Sequence, residues 1–150
     1  MTTKTIQTAV LARLVEQTSR AIHSRGHSHG LFPAQWTALR YFAGADPSLC
    51  SSSALAAYQG MAFGPVSRTV RTLIAKGLVR KVGVATPGRF ELVALTQTGR
   101  ALLASDPMTE VVEAIEGLSA PDRHSLAVAL EAIVFRLQDA DGDDGLTPEA

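Results

Sequence analysis

The chain has 150 residues, of which 46% are hydrophobic and 19% are charged, a composition typical of one globular domain rather than of a disordered chain. Its 14 basic and 14 acidic residues cancel, and its single cysteine, Cys50, excludes an internal disulfide. No apolar run approaches the roughly 20 residues that span a membrane, and the N-terminus lacks a charged-then-apolar signal pattern. We therefore expect a cytoplasmic protein with no membrane partner.

The first predicted element is an amphipathic helix over residues 4–24. Its apolar residues recur at the spacing of one helix face: Ile6, Val10, Leu14 and Ile22. The sequence offers this face no neighbouring helix. We expect it to pack against a distant part of the chain or against another subunit.

Three histidines follow within seven residues, His23, His27 and His29, in a segment that Gly26 and Gly30 are expected to break into a loop. Imidazole is a common ligand of zinc-like metals. A closed zinc site needs four ligands, and no cysteine or acidic residue lies nearby in the sequence. The segment therefore predicts a polar loop without a metal or other cofactor, and the three histidines are kept as weak candidates for metal binding.

The next predicted helix covers residues 33–45 and is the most aromatic part of the chain. Trp36 and Leu39 are expected to lie in the core. Arg40 lies beside them in the sequence, and two interpretations stay open: its guanidinium extends to the surface, or it holds a carboxylate at the edge of an apolar pocket. Cys50, after the following loop, is expected to be a small, partly buried residue rather than a redox switch.

Residues 52–76 predict a helix-turn-helix. A short helix over residues 52–59 ends at Gly60, which tolerates a positive φ, and a second helix starts near Phe63 or Gly64. The second helix has an apolar stripe of Val66, Val70, Leu73 and Ile74, and its opposite face carries Gly64, Ser67, Arg68 and Arg71. Such a helix fits the major groove of DNA. The alternative is an ordinary helical hairpin with solvated arginines.

Two short strands follow, over residues 78–82 and 90–95, with Pro87 and Gly88 in a type II turn between them. A β-hairpin directly after a recognition helix is a wing. Residues 33–103 carry a net charge of +6, whereas residues 104–150 carry −9. The basic part of the chain thus coincides with the helix-turn-helix, as a phosphate-binding surface requires.

Further helices are predicted after the wing. Thr96 is a natural N-cap for a helix through Leu103, and Pro107 either kinks this helix or starts a new one. The last helix has a packing seam spaced four, three, four: Leu126, Leu130, Ile133 and Leu137. We expect it to end near Asp139 and to leave residues 139–150 as a disordered acidic tail.

Three stretches together resemble the MarR family of bacterial winged-helix regulators: LFPAQWTALRYF (31–42), SALAAYQGMAFGPVSRTVRTLIAKGLVRKV (53–82) and LTQTGRALL (95–103). The similarity covers about residues 5–138. It implies a mostly α-helical fold with a small β-hairpin, in which a single domain over residues 1–138 contains a winged helix-turn-helix at about 33–103. The helices at about 4–24 and 107–138 would form the interface of a homodimer.

The resemblance also implies a function. It is that of a sequence-specific regulator, most often a repressor, which a small aromatic or anionic ligand releases from a pseudo-palindromic operator in double-stranded DNA. By motif position, Gly64, Pro65, Ser67 and Arg68 approach bases, and Thr69 and Arg71 approach the DNA backbone. Family wings usually carry several arginines, whereas here only Arg89 remains, which leaves open a winged-helix module that binds proteins and binds DNA weakly or not at all. A metal-responsive variant that uses the three histidines is the other alternative.

The resemblance places a ligand pocket near Ile22, His23, Trp36, Leu39 and Arg40, with Arg40 or His23 receiving an anion. The sequence shows no phosphate loop, no nucleophile elbow and no paired carboxylates in the part expected to fold. We therefore do not expect an enzyme.

Overall fold

The computed structural model describes residues 6–84 and 91–143. Within these ranges the chain is mostly helical with one antiparallel hairpin, which confirms the predicted fold class. The elements are α1 (Thr8–Arg25), α2 (Pro33–Gly44), α3 (Ser52–Gln59), α4 (Phe63–Ala75), β1 (Val79–Val84), β2 (Glu91–Leu95), α5 (Gln97–Leu102), α6 (Met108–Glu116) and α7 (Ala120–Asp143), with 3₁₀ turns at Pro47–Leu49 and Leu103–Ser105. The chain divides into two compact units, residues 1–109 and 110–150, and the extent of the predicted single domain stays a prediction.

The core of the first unit is built by residues between Leu31 and Leu95. Its largest fully buried side chains come from three helices, α2, α3 and α4, and from strand β1: Trp36, Leu39, Leu55, Leu73 and Val79. Each helix contributes a stripe at helical spacing, and the strands contribute alternate residues. The result is one continuous cluster beneath α2, α3, α4 and the hairpin.

Local signals in the sequence fix where these helices begin and end. The backbone N–H of Phe32 donates to Gln35 Oε1 at 3.0 Å before α2, and Ser51 Oγ accepts from the backbone N–H of Ala54 at 3.1 Å before α3. Gly60 ends α3 with φ of +61°, a value that costs glycine nothing and other residues energy. These boundaries set the length of the turn between α3 and α4.

The hairpin pairs Val79 with Leu95 and continues to Val84 opposite Glu91, with a bulge between Lys81 and Gly83. A third short segment joins it, because the backbone N–H of Val93 donates to Cys50 O at 2.9 Å. The predicted turn at Pro87 and Gly88 lies outside the described residues. The hairpin is therefore anchored at its base to the segment that precedes α3.

The chain leaves the hairpin through a tight contact between two backbones. Thr96 Oγ1 accepts from the Gly99 N–H at 3.0 Å and donates to Gly77 O at 2.7 Å. A Cβ placed on Gly99 would collide with the Leu78 carbonyl oxygen. The glycine in the sequence LTQTG is thus required by the close approach of α5 to the start of the hairpin.

Two other predictions are settled in the last third of the chain. Pro107 comes directly before α6, so it starts a new helix rather than kinking α5. Helix α7 continues to Asp143, so the expectation that residues 139–143 belong to a disordered tail is wrong. Ser119 Oγ accepts from the Asp122 N–H at 3.3 Å at the start of α7, which is the geometry of a side-chain N-cap. None of the described helices is both long and apolar enough to cross a membrane.

Candidate nucleic-acid interface

Helix α4 has one buried side and one exposed side. Val66, Val70 and Leu73 are buried in the core, whereas Arg68 and Arg71 are exposed. Both faces are those predicted from the spacing. The structure therefore presents a cationic helix surface directly after a short helix and a turn, as in a helix-turn-helix.

The other residues predicted to contact DNA surround these two arginines. Gly64 and Pro65 are exposed in the first turn of α4, and Ser67 and Thr69 are partly buried. The hydroxyl of Thr69 donates to the Pro65 carbonyl oxygen at 3.2 Å, so its proton is already used within the helix. Arg89, the predicted wing contact, lies outside the described residues.

The surface around α4 is positive. Arg68 and Arg71 have no ion-pair partner among the residues that the structure describes, and Arg80 on β1 is likewise exposed. Lys81, also on β1, is different, because its Nζ lies 2.9 Å from Glu91 Oε1 on the neighbouring strand. Unpaired cations on α4 are free to neutralise phosphate groups.

The end of α4 is held firmly. Gly77 adopts φ of +72°, and the backbone N–H groups of Leu78 and Gly77 donate to Leu73 O and Ile74 O, both at 3.0 Å. This is the hydrogen-bond pattern of a Schellman motif. In addition, Lys76 Nζ donates to the Gly30 carbonyl oxygen at 2.6 Å, which ties the helix to the loop before α2. These contacts fix the position of α4 within the first unit.

Two of the five residues that were predicted to line a ligand pocket lie in the core of the first unit. Trp36 and Leu39 are 0% exposed and belong to the core, because they face inward from the middle of α2. Ile22 is partly buried and His23 exposed. Among the five predicted residues, Arg40 alone lines the cleft described below.

Arg40 holds a carboxylate, but the carboxylate belongs to the protein. Its Nε lies 2.7 Å from Asp106 Oδ2, and both side chains are partly buried. Asp106 also accepts from the Met108 N–H at 2.8 Å through its other oxygen. The ion pair thus joins α2 to the start of α6. It was missed in the sequence because 66 residues separate its partners.

A cleft of about 370 Å³ opens beside Arg40. It is lined by Thr37, Arg40, Tyr41, Gly44, Ala45 and Tyr58. Tyr41 donates its hydroxyl to Leu49 O at 3.0 Å, and its ring lies 5.1 Å from that of Tyr58. Burial raises the pKa of Tyr41, and negative charge on Cys50 and Tyr58 would raise it further. The cleft therefore offers two aromatic rings and one guanidinium that is already paired.

The three histidines of the cluster make aromatic ring contacts. The His23 and His27 ring centroids lie 5.3 Å apart, and the His27 ring lies 5.6 Å from that of Phe32. His29 meets the Trp36 ring edge-on at 6.1 Å. Among the described residues, no group of three or more His, Cys, Asp or Glu side chains is arranged to hold a metal ion.

The single cysteine is buried, as expected. Cys50 is 4% exposed. Burial raises the pKa of its thiol, and the negative charge of Asp46 adds to this effect. A thiol with a raised pKa forms little of the reactive thiolate, so the structure gives Cys50 a packing role.

Comparisons with known proteins agree with this geometry. Residues 29–89 match a family model described as MarR family, although no curated protein sequence matches significantly. A probable transcriptional regulator from Pseudomonas aeruginosa is 27% identical, with a TM-score of 0.62 over 85% of this chain and 96% of that chain. Apo wild-type MarR from E. coli is 21% identical, with a TM-score of 0.61 over 87% and 98% of the two chains.

The fold is also shared with a protein solved on DNA. MepR of S. aureus, in a crystal structure of its DNA complex, has a TM-score of 0.68 at 16% identity and covers 88% of this chain and 99% of that one. Buried core, cationic helix and hairpin together define a winged-helix protein. The family model over residues 29–89 and the shared fold support the interpretation of this chain as a winged-helix regulator similar to the MarR family.

Proposed function

We propose that this regulator is a homodimeric repressor that binds a pseudo-palindromic operator and that a small aromatic or anionic ligand releases it. The observation that carries the proposal is the exposed pair Arg68 and Arg71 on a helix whose other side packs into the core through Val66, Val70 and Leu73. A packed helix cannot rearrange to hide these charges. The two arginines therefore remain available to a polyanion such as DNA.

The proposed DNA contacts follow the exposed side of α4. Gly64, Pro65, Ser67 and Arg68 contact base edges, since N-terminal residues of a recognition helix do so in helix-turn-helix proteins. Thr69 and Arg71 contact phosphates, together with Arg89 of the wing. Because Thr69 donates to Pro65 O, its hydroxyl oxygen is left mainly as an acceptor, and the arginines supply most of the phosphate contacts.

The dimer is supported by apolar side chains that the described chain leaves at the surface. On α1 these are Val10, Leu11, Leu14 and Val15; on α7 they are Val128, Leu130, Ile133, Val134, Phe135 and Leu137. Monomeric proteins rarely expose so many large apolar residues on neighbouring turns. A twofold dimer formed through these helices would present two copies of α4 to two half-sites of one operator.

The ligand is proposed to enter the cleft beside Arg40. A ligand carboxylate would compete with Asp106 for the guanidinium, and an aromatic ring would pack on Tyr41 and Tyr58. Such a ligand releases DNA only if it binds the DNA-free form of the dimer more tightly than the DNA-bound form. Of the residues that were predicted to line the pocket, Arg40 lines this cleft. Trp36 and Leu39 do not, because they lie in the core.

The proposal is tested by measuring binding to duplex DNA selected from a random library, against unselected DNA, across a salt series. We expect Arg68→Ala to weaken specific binding by roughly 10- to 100-fold, the range for loss of a base-contacting arginine, and Arg71→Ala to reduce the salt slope by about one. Arg20→Ala is the matched control, since this exposed arginine lies on α1 beside Glu16. Equal affinity for both DNAs from a folded dimer would refute the proposal.

Ligand release is tested on the same duplex. An aromatic carboxylate such as salicylate is titrated into the protein–DNA complex, and the Arg40→Met variant serves as the comparison. We expect release from the wild-type protein and none from the variant. Release that is equal in both would remove Arg40 from the ligand site.

A further inference from the structure

The turn before α4 and the first turn of α4 form an exposed apolar surface, which we name the apolar tip and define as Met61, Phe63 and Pro65. Met61 is 50% exposed and Phe63 is 55% exposed, and Pro65 is exposed as well. Ala62 and Gly64 lie between them, so no hydroxyl, amide or charged side chain interrupts the tip. The helix begins without a side-chain cap, unlike α3, which Ser51 caps.

The position of Phe63 shows where the core ends. It continues the stripe of Val66 and Val70 at helical spacing, yet those two side chains are buried and more than half of Phe63 remains uncovered. The core therefore stops one turn short of the start of α4. An aromatic ring at this rim is free to contact whatever molecule the recognition helix meets.

Other groups on α4 limit how it can read bases. The hydroxyl of Thr69 donates to Pro65 O at 3.2 Å, and the hydroxyl of Thr72 donates to Arg68 O at 3.0 Å. Both protons are thus spent within the helix. Among the residues that we propose to contact bases, the side-chain hydrogen-bond donors are then Ser67 and Arg68, and the rest of the leading surface is apolar.

The positive charge of the neighbouring arginines indicates which kind of molecule binds at the apolar tip. Arg68 and Arg71 lie on the same helix and have no ion-pair partner in the described part of the chain, so the surface suits a polyanion that also has an apolar feature. In the major groove of DNA that feature is the C5-methyl group of thymine. The first residues of a recognition helix are the ones that reach base edges there.

We infer that the apolar tip recognises thymine methyl groups, so that each operator half-site has thymines at the base pairs that the first turn of α4 contacts. Phe63 is the main specificity-determining residue, and Met61 and Pro65 extend its surface. This inference rests on the proposed DNA-binding function but goes further, because it names the base that the helix prefers and the chemical group that it senses.

The test replaces thymidine by deoxyuridine, one position at a time, in a duplex selected by the full-length protein. This change removes one methyl group and leaves base pairing intact. Burial of a group of this size corresponds to about fourfold in affinity, so we expect a loss of about that size at one or two positions in each half-site. In Phe63→Ala the same replacement is expected to have little effect, because the ring that contacts the methyl group is gone.

Phe32→Ala is the matched control, since Phe32 is the same residue type at a similar exposure, 59%, outside the helix-turn-helix. It should keep the full deoxyuridine effect. Met61→Ala, in the turn rather than in α4, should reduce the effect partly and guards against misfolding of the Phe63 variant, which thermal unfolding checks directly.

Two outcomes would overturn the inference alone. One is specific binding that depends on Arg68 but does not change at any deoxyuridine position, and the other is a selected half-site without thymine. The tip would then be free to bind a protein partner. Absence of specific DNA binding by the wild-type dimer would instead refute the proposed function, and the inference with it.

Discussion

The winged-helix segment and the flanking helices use apolar residues in opposite ways. Every buried hydrophobic side chain in the described part of the chain lies between Leu31 and Leu95. Helix α1 buries none of its residues, and the described side chains of α7 are exposed, apart from Leu126, which is partly buried. Both regions are rich in apolar residues, but in the described part of the chain only the first completes a core from its own residues.

Because of this difference, the apolar residues of the winged-helix segment stabilise the folded chain, whereas in our proposal those of α1 and α7 stabilise the dimer. The winged-helix segment gains its hydrophobic stabilisation within one chain, where buried apolar area counts fully. The apolar faces of α1 and α7 gain theirs only when another surface covers them, so in our proposal their contribution depends on protein concentration. The same residue type should therefore have different effects in the two regions.

The largest expected effect comes from leucines in the two regions. Leu73→Ala removes a side chain that is 0% exposed and should lower the free energy of unfolding by about 2–5 kcal/mol, through lost burial and the cavity left behind. Leu137→Ala removes one that is 63% exposed and should change it by less than about 0.5 kcal/mol in dilute protein. Urea unfolding at low protein concentration measures both, and similar losses would contradict the distinction.

A smaller effect is expected at the apolar face of α7. Ile133→Glu places a charge within the seam formed by Leu130 and Leu137, and burial of an unpaired charge is unfavourable. We expect the dimer to dissociate at least about tenfold more readily, a change of about 1.4 kcal/mol. Sedimentation velocity over a concentration series measures this, with Glu131→Gln as the control on the same helix.

Two results would contradict the proposed dimer. A wild-type protein that stays monomeric at high concentration would show that α7 does not mediate self-association. An Ile133→Glu protein that dimerises like the wild type would place the interface elsewhere. In either case the binding of two half-sites by one dimer would need a different explanation.

Local patterns in the sequence predicted most of the winged helix. The bounds of α3, the start of α4 and the cap at Thr96 depend on a few neighbouring residues, and the structure has each as predicted. The stripe of Val66, Val70 and Leu73 was equally readable, because helical spacing alone determines which residues share a face.

Long-range contacts could not be read in the same way. The ion pair between Arg40 and Asp106 depends on how α2 meets the segment before α6, and no local pattern encodes that meeting. The sequence left Trp36 and Leu39 open to two roles for a related reason, since a large apolar residue in an amphipathic helix can line a cavity or fill the core. Their full burial follows from the packing of α2 against α4 and β2.

The smallest expected effect is a dependence of stability on pH that belongs to the folded core alone. Burial and, to a lesser extent, the charge of Asp46 raise the pKa of Cys50 above its ordinary value. Below about pH 8.5, the usual pKa of an unfolded thiol, both states keep the proton and the thiol adds no pH dependence. Above it the unfolded chain loses the proton first, so stability falls with rising pH until the folded thiol also ionises.

Urea unfolding between pH 7 and pH 9.5 measures this decline, which one proton limits to about 1.4 kcal/mol per pH unit. Cys50→Ala should flatten the curve, because the variant has no thiol to ionise in either state. Tyr41→Phe is the comparison, since burial also raises the pKa of Tyr41 but an ordinary tyrosine ionises only near pH 10. An equal slope in the wild type and in Cys50→Ala would show that the thiol ionises as readily in the folded core as in the unfolded chain.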